Sequence, residues 1–238
     1  MARLQAQWPP IPRSIKGLAA ALFLLWILSI NNAPLHGVVH DYMLVSFDAA
    51  VWDLQIWTVI TYALFHADFM HLLFNMVVLW LFGGEIAARW SEKKWWSFNA
   101  ACAVGGGVAV VASQAVVFWA VETTHFAPTL GYSGAVMGVL AAFAWQNWNR
   151  KIYLFFIPMK GKVLIPVVVA FDIFRVAVAQ EPISIAGHLG GLITGLLIVS
   201  GWWRPRRIKQ AYRRYKRDKK RQQFNVVGSD SDPDRYVN

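Results

Sequence analysis

Six stretches of the chain are apolar over roughly the 17–25 residues that a bilayer-crossing helix needs. They cover residues 15–33, 71–88, 97–119, 132–148, 163–179 and 186–203. Asn31-Asn32-Ala33-Pro34 closes the first as a helix stop. That run lies too far from a small-residue cleavage site to be a signal peptide, so it is read as a retained span. The connections after the second to fifth runs are short, whereas the first occupies residues 34–70. It mixes Trp52, Trp57, Phe65 and Phe69 with Asp41, Asp48 and Asp53, a composition suited to an interfacial or re-entrant segment. The pattern therefore predicts an all-α polytopic membrane protein, a six-helix bundle with a long, partly embedded first loop. Residues 1–14 form a short N-terminus, 15–203 the membrane domain, and 204–238 a basic and then acidic tail. Within that tail, residues 204–224 could form a basic helix, and Gly228 to Asn238 has a disordered composition. No long internal repeat is visible.

Charge orients the bundle. Arg3, Arg13 and Lys16 precede the first run, Arg89, Lys93 and Lys94 follow the second, and Arg150, Lys151, Lys160 and Lys162 follow the fourth. The loops after the first, third and fifth runs hold no Lys or Arg. The positive-inside rule then predicts that both termini are cytoplasmic. A hydrophobic content of 57% with 15% charged residues excludes an ordinary soluble domain. The net charge of +10 does not indicate nucleic acid, because eleven of the 23 Lys and Arg lie between Arg204 and Arg221, directly after an apolar run. Such a tail would be attracted to anionic lipid, at about 1 kcal/mol per basic residue near the surface. The single cysteine, Cys102, sits in an apolar stretch and allows no internal disulfide. A bacterial plasma membrane is the expected location.

With this orientation all six histidines, His36, His40, His66, His71, His125 and His188, fall on the outer side. His71 opens the second run, Ser133 the fourth and His188 the sixth. These runs all pass from outside to inside, so their first turns share one depth. Polar residues within spans are functional candidates. Taken singly, each has a packing explanation. Gly131-Tyr132-Ser133-Gly134 lies among small residues, and Gly187, Gly191 and Gly195 recur every four residues, which suits close helix approach. His71 and Asn75 share a helix face at i, i+4. Taken together they form a set that one mechanism needs. Ser133 supplies a hydroxyl nucleophile and His188 a general base, while Asn75, His71 and the Ser133 backbone N–H could stabilise an oxyanion. No third, acidic member is apparent. Asp172 and Arg175, the only ionisable pair within a run, read as mutual partners or as a polar helix face.

These residues resemble the rhomboid family of intramembrane serine proteases over about residues 15–203. His66-Ala67-Asp68-Phe69-Met70-His71-Leu72-Leu73-Phe74-Asn75 is similar to the family's H-x4-H-x3-N block, Gly131-Tyr132-Ser133-Gly134 to its G-x-S-G, and Gly187-His188-Leu189-Gly190-Gly191 with Gly195 to its A/G-H-x-x-G-x-x-x-G. The resemblance implies a rhomboid-like bundle in which Ser133 is the nucleophile, His188 the base, and His71 and Asn75 line the oxyanion site. His66, Gly131 and Met137 are possible supporting residues. It implies a site open to water from the outer side and single-span membrane proteins as substrates, with no metal, cofactor or nucleic acid. Two positions depart from the family pattern. Trp57-Thr58 stands where a Trp-Arg pair is usual, and Met137 where many members place an aromatic residue. Competing readings are a metal or proton transporter, for which Asp172 and Glu85 are the nearest acidic candidates, and an inactive rhomboid-like protein that binds client helices.

Overall fold

The computed structural model describes residues 11–123, 126–154, 157–178 and 184–201, together with a few positions between 204 and 219. Chain contacts divide it into two units, Met1–Ser200 and Gly201–Asn238. In the second unit, Tyr212, Arg213, Tyr215, Lys216, Arg217 and Lys219 are helical and exposed. Arg204 is exposed and not helical, and the other tail residues read above as helical or disordered, with His125, lie outside the described residues.

Helices occupy each of the six apolar runs. We label these α1 (Arg13–Asn31), α3 (Phe69–Arg89, with a π turn at Leu79–Gly83), α4 (Glu92–Val121), α5 (Ser133–Gln146), α6 (Gly161–Ala177) and α7 (Ile185–Ser200), with a further helix α2 (Ala33–Tyr42) after the first. Three of them, α1, α3 and α4, are long and apolar enough to cross a membrane by length and composition, while α5 and α7 are shorter apolar helices.

Two local features differ from the sequence reading. Asn32 does stop α1, but its side chain accepts a hydrogen bond from the Leu35 N–H, and Pro34 falls in the first turn. Asn and Pro at those positions start helices as well as stop them, so the chain re-enters a helix at once and the loop proper begins after Tyr42. The fold is also not purely α. Lys151–Leu154 and Ile157–Lys160 pair as an antiparallel hairpin, β1–β2, between α5 and α6. The segment combines Ile, Tyr and Leu with a proline in an edge position, which suits a two-stranded ribbon.

The core centres on α5, where every residue from Gly134 to Ala144 is buried. A helix that is apolar all round belongs inside a bundle. The helices α3, α4 and α7 pack around it. The approach of α7 requires glycine, since a side chain at Gly191 would strike the backbone of Gly134, and one at Gly195 would lie 2.6 Å from the Gly138 carbonyl oxygen. The every-fourth-residue glycines of the two helices thus face each other. At the other end of these helices, Arg150 after α5 donates to Glu85 of α3 at 2.9 and 3.2 Å, and Glu85 also pairs with Arg89 at 2.8 Å. Glu85 is therefore an ion-pair partner within the bundle's basic end.

Candidate active site

Ser133 is the first residue of α5, His188 lies in the first turn of α7, and His71 lies in the first turn of α3. Each start is locally fixed. Asp68 caps α3 by accepting from the His71 N–H at 2.8 Å. At the start of α7 the Ser184 hydroxyl accepts from the Gly187 N–H at 3.2 Å. The residues before Ser133 are tied to the first loop. Val45 and Thr129 exchange two backbone hydrogen bonds, at 3.1 and 2.8 Å, and the Gly131 N–H donates to the Tyr62 carbonyl at 3.0 Å. The Tyr132 N–H donates to His66 Nε2 at 3.3 Å. Below them the Tyr132 hydroxyl donates to Asn99 Oδ1 at 3.0 Å, and the Tyr62 hydroxyl to the Ala103 carbonyl at 2.9 Å. Sequence reading did not single out Val45, Tyr62 or Asn99. Tyrosine and asparagine in apolar segments were the available signal, because their polar atoms must find partners when buried.

The glycine faces of α5 and α7 bring Ser133 and His188 together, with Ser133 Oγ 2.7 Å from His188 Nε2. His71 closes the group from α3. Gly131 has φ +123°, a conformation few side chains tolerate. A Cβ there would lie 2.6 and 2.7 Å from His71 Cε1 and Nε2, and 3.7 Å from Ser133 Oγ. The missing side chain of Gly131 is thus what lets the His71 ring sit beside the serine. Asn75, one turn further along α3, is buried, and its Nδ2 has no hydrogen-bond partner among the described residues. A buried amide donor without a partner is costly unless something else accepts from it.

His66, in the first loop, is buried with its ring edge-on to His71 at a centroid distance of 5.1 Å. Burial, and next the neighbouring His71, pushes its pKa down to about 3. The ring is therefore neutral near pH 7, as its role as acceptor for the Tyr132 N–H requires. Met137 is buried in the core of α5. At the position where the loop departs from the family pattern, the Trp57 indole N–H donates to the Tyr42 carbonyl at 2.7 Å and the Thr58 hydroxyl to the Gln55 carbonyl at 2.7 Å. Thr61 adds a bond to the Met43 carbonyl at 2.8 Å. Around Trp57-Thr58 the loop is held by bonds to its own backbone carbonyls.

One reading is corrected. Asp172 of α6 turns to the histidine, its Oδ2 2.6 Å from His188 Nδ1. Arg175 lies with its guanidinium 5.8 Å from the Phe171 ring centroid. A sequence gives the spacing of Asp172 and Arg175 on one helix but not the direction in which that helix is rotated, and the rotation decides the partner.

A sequence model described as the Rhomboid domain matches residues 53–205. Among curated proteins, the chain is 30% identical over 207 residues to Rhomboid protein 1, mitochondrial, of Saccharomyces cerevisiae, covering 84% of this chain and 55% of that one. It is 31% identical over 143 residues to RHOMBOID-like protein 12, mitochondrial, of Arabidopsis thaliana, covering 56% of this chain and 43% of the other. It is 26% identical over 205 residues to Rhomboid protease GlpG of Yersinia pestis, covering 82% and 63%. The chain thus spans roughly half of the length of these relatives. The matched domain takes in α3 to α7 and with them every residue of the site, and on this evidence the chain is a membrane protein that belongs to the rhomboid family.

Proposed function

We propose that the chain is an intramembrane serine endopeptidase that hydrolyses peptide bonds in or near the transmembrane helices of single-span membrane proteins. The observation that carries this reading is the 2.7 Å contact between Ser133 Oγ and His188 Nε2, beside an unpartnered Asn75 amide. In the first step His188 Nε2 takes the serine proton as Oγ attacks the scissile carbonyl. The carbonyl π pair moves onto oxygen, and the resulting oxyanion is met by Asn75 Nδ2, the His71 ring and the Ser133 N–H. The last is one of the free donors at the positive end of α5. Collapse of the intermediate expels the amine, which receives the proton from His188, and leaves an acyl-serine. Water, deprotonated by the same imidazole, then releases the carboxylate product and restores the hydroxyl.

The geometry of α5 supports a site below the membrane surface. Fourteen residues at 1.5 Å rise span about 21 Å, against roughly 30 Å of hydrocarbon. A helix anchored at the basic end by Arg150 would therefore start inside the bilayer, with Ser133 reached by water from the outer side. In this reading residues 15–203 are a six-span catalytic domain with a partly embedded first loop, both termini are cytoplasmic, and the basic tail meets anionic lipid at the inner leaflet. A bacterial plasma membrane is the proposed location. The mitochondrial names of the yeast and Arabidopsis relatives supply the alternative, and cell fractionation against membrane markers separates the two.

The test uses purified full-length chain with a single-span reporter and a fluorophosphonate probe. Wild type is expected to cleave the reporter and to label at Ser133, while Ser133→Ala and His188→Ala abolish both with the protein still folded in the membrane. Cleavage surviving Ser133→Ala would sink the serine mechanism. Folded wild type that neither labels nor cleaves would favour a client-binding protein, and activity lost on chelation and restored by zinc would favour a metal site.

A further inference from the structure

We propose that Asp172 is a positioning residue of this site, holding His188 through its Nδ1–H in the tautomer and orientation that leave Nε2 free to accept the serine proton. The inference rests on the Ser133–His188 reading above and changes it from a two-residue to a three-residue arrangement.

Three observations support it. The first is geometric: Asp172 Oδ2, His188 Nδ1, His188 Nε2 and Ser133 Oγ form one continuous chain of hydrogen bonds, at 2.6 and 2.7 Å. A neutral imidazole carries a single N–H. If Nε2 is to accept from the serine, the proton sits on Nδ1, where a carboxylate is the acceptor that fixes it. The second is burial. Asp172 is 8% exposed while its neighbours Phe171, Ile173 and Phe174 are 58%, 52% and 54% exposed. The helix presents its apolar side chains outward and its carboxylate inward, the reverse of a soluble protein. A charge in an apolar helix is costly and is retained where it has a partner inside the bundle. The third is that α6 packs chiefly on α5 and meets α7 sparsely. The Asp172–His188 hydrogen bond is a side-chain link across that sparse interface.

The same carboxylate serves the transition state. As His188 takes the serine proton it becomes an imidazolium, and Asp172 lies at hydrogen-bond distance to stabilise that charge. In this role the proton shuttles between Ser133 and His188 and is not passed on to Asp172.

The experiment compares wild type with Asp172→Asn and Asp172→Ala as purified full-length protein in lipid vesicles. Reporter cleavage is measured per phosphonate-titratable active site, so that misfolded protein does not count. The expected result is a fall in kcat of at least tenfold and up to about 10⁴-fold, with KM within about twofold and phosphonate labelling slowed in parallel. Wild type should also show a low-field imidazole N–H proton resonance that both variants lack. A solely structural carboxylate would lower the yield of active protein and leave the rate per site unchanged, which overturns the proposal. Absence of the low-field resonance from wild type overturns it without reliance on any variant. If wild type does not label at Ser133 at all, the serine mechanism fails and this inference falls with it. Normal wild-type labelling with undiminished Asp172→Asn turnover removes Asp172 alone.

Discussion

Asn75 carries a buried side-chain donor with no partner among the described residues, and two explanations make different forecasts for its loss. If the amide meets the developing oxyanion, its contribution exists mainly in the transition state. Asn75→Ala should then lower kcat by about 10²–10³ with substrate affinity little changed. Some activity should remain where Ser133→Ala keeps none, because the Ser133 N–H is still present. If Asn75 instead joins helices, the effect is about 0.6 kcal/mol of stability, seen as a lowered melting temperature with near-normal turnover. Melting and single-turnover cleavage measured on one preparation decide between them. Ser133, His188, His71 and Asn75 were readable in the sequence as candidates because each opens, or lies one turn into, a run predicted to start on the same side. Asp172 was not. Its spacing to Arg175 fits an i, i+3 pair on one helix, and only the placement of α6 turns its carboxylate to His188.

At the scale of helices, glycine decides which pairs can touch. Recurrence every four residues along α7 is visible in the sequence and signals a close approach; that the partner is α5, glycine against glycine, is not. Gly191→Ala would push a methyl group into the Gly134 backbone. Backbone cannot yield as a flexible side chain does, so α5 and α7 must separate and His188 must draw away from Ser133. The expected outcome is loss of reporter cleavage together with a lower melting temperature. Gly37 is the control, since nothing lies within 4 Å of a Cβ there. It sits inside α2, where alanine favours the helix by up to about 1 kcal/mol. Gly37→Ala should therefore leave cleavage intact and melting unchanged or raised, and a comparable loss in both variants would contradict the packing argument. The β1–β2 hairpin and α2 escaped the sequence reading for a related reason. Both lie outside the long apolar runs, where only caps and short pairings choose the structure.

For the molecule as a whole, the basic groups after α3 and α5 come together through Glu85, Arg89 and Arg150, while His71, Ser133 and His188 gather at the opposite ends of their helices. This arrangement agrees with the charge asymmetry of the loops, and it makes orientation testable. Reporter fusions after Lys94, Lys151 and Asn238 should report cytoplasm, and fusions near Thr123 and Pro182 the outer side. A cytoplasmic signal at Thr123 would place the serine on the wrong face of the membrane and break the proposed access of water. Partly exposed ion pairs such as Glu85–Arg89 add little stability; the predicted orientation rests on the loop charges.

The sequence by itself determined where the helices of the six apolar runs lie and which of their ends carry the candidate site residues. A bilayer leaves an apolar run little choice but to satisfy its backbone internally as a helix, so length and hydropathy set the elements, and Lys and Arg predict their direction. The tertiary structure decided how each helix is rotated about its axis and which neighbour it meets. In a soluble protein the apolar stripe would have shown the buried face, but lipid and protein interior are alike apolar and the stripe disappears. Phe171, Ile173 and Phe174 point outward and Asp172 inward on α6, an arrangement no hydrophobic period announces. The link from Asp172 through His188 to Ser133 exists only because packing of α6, α7 and α5 sets three rotations at once.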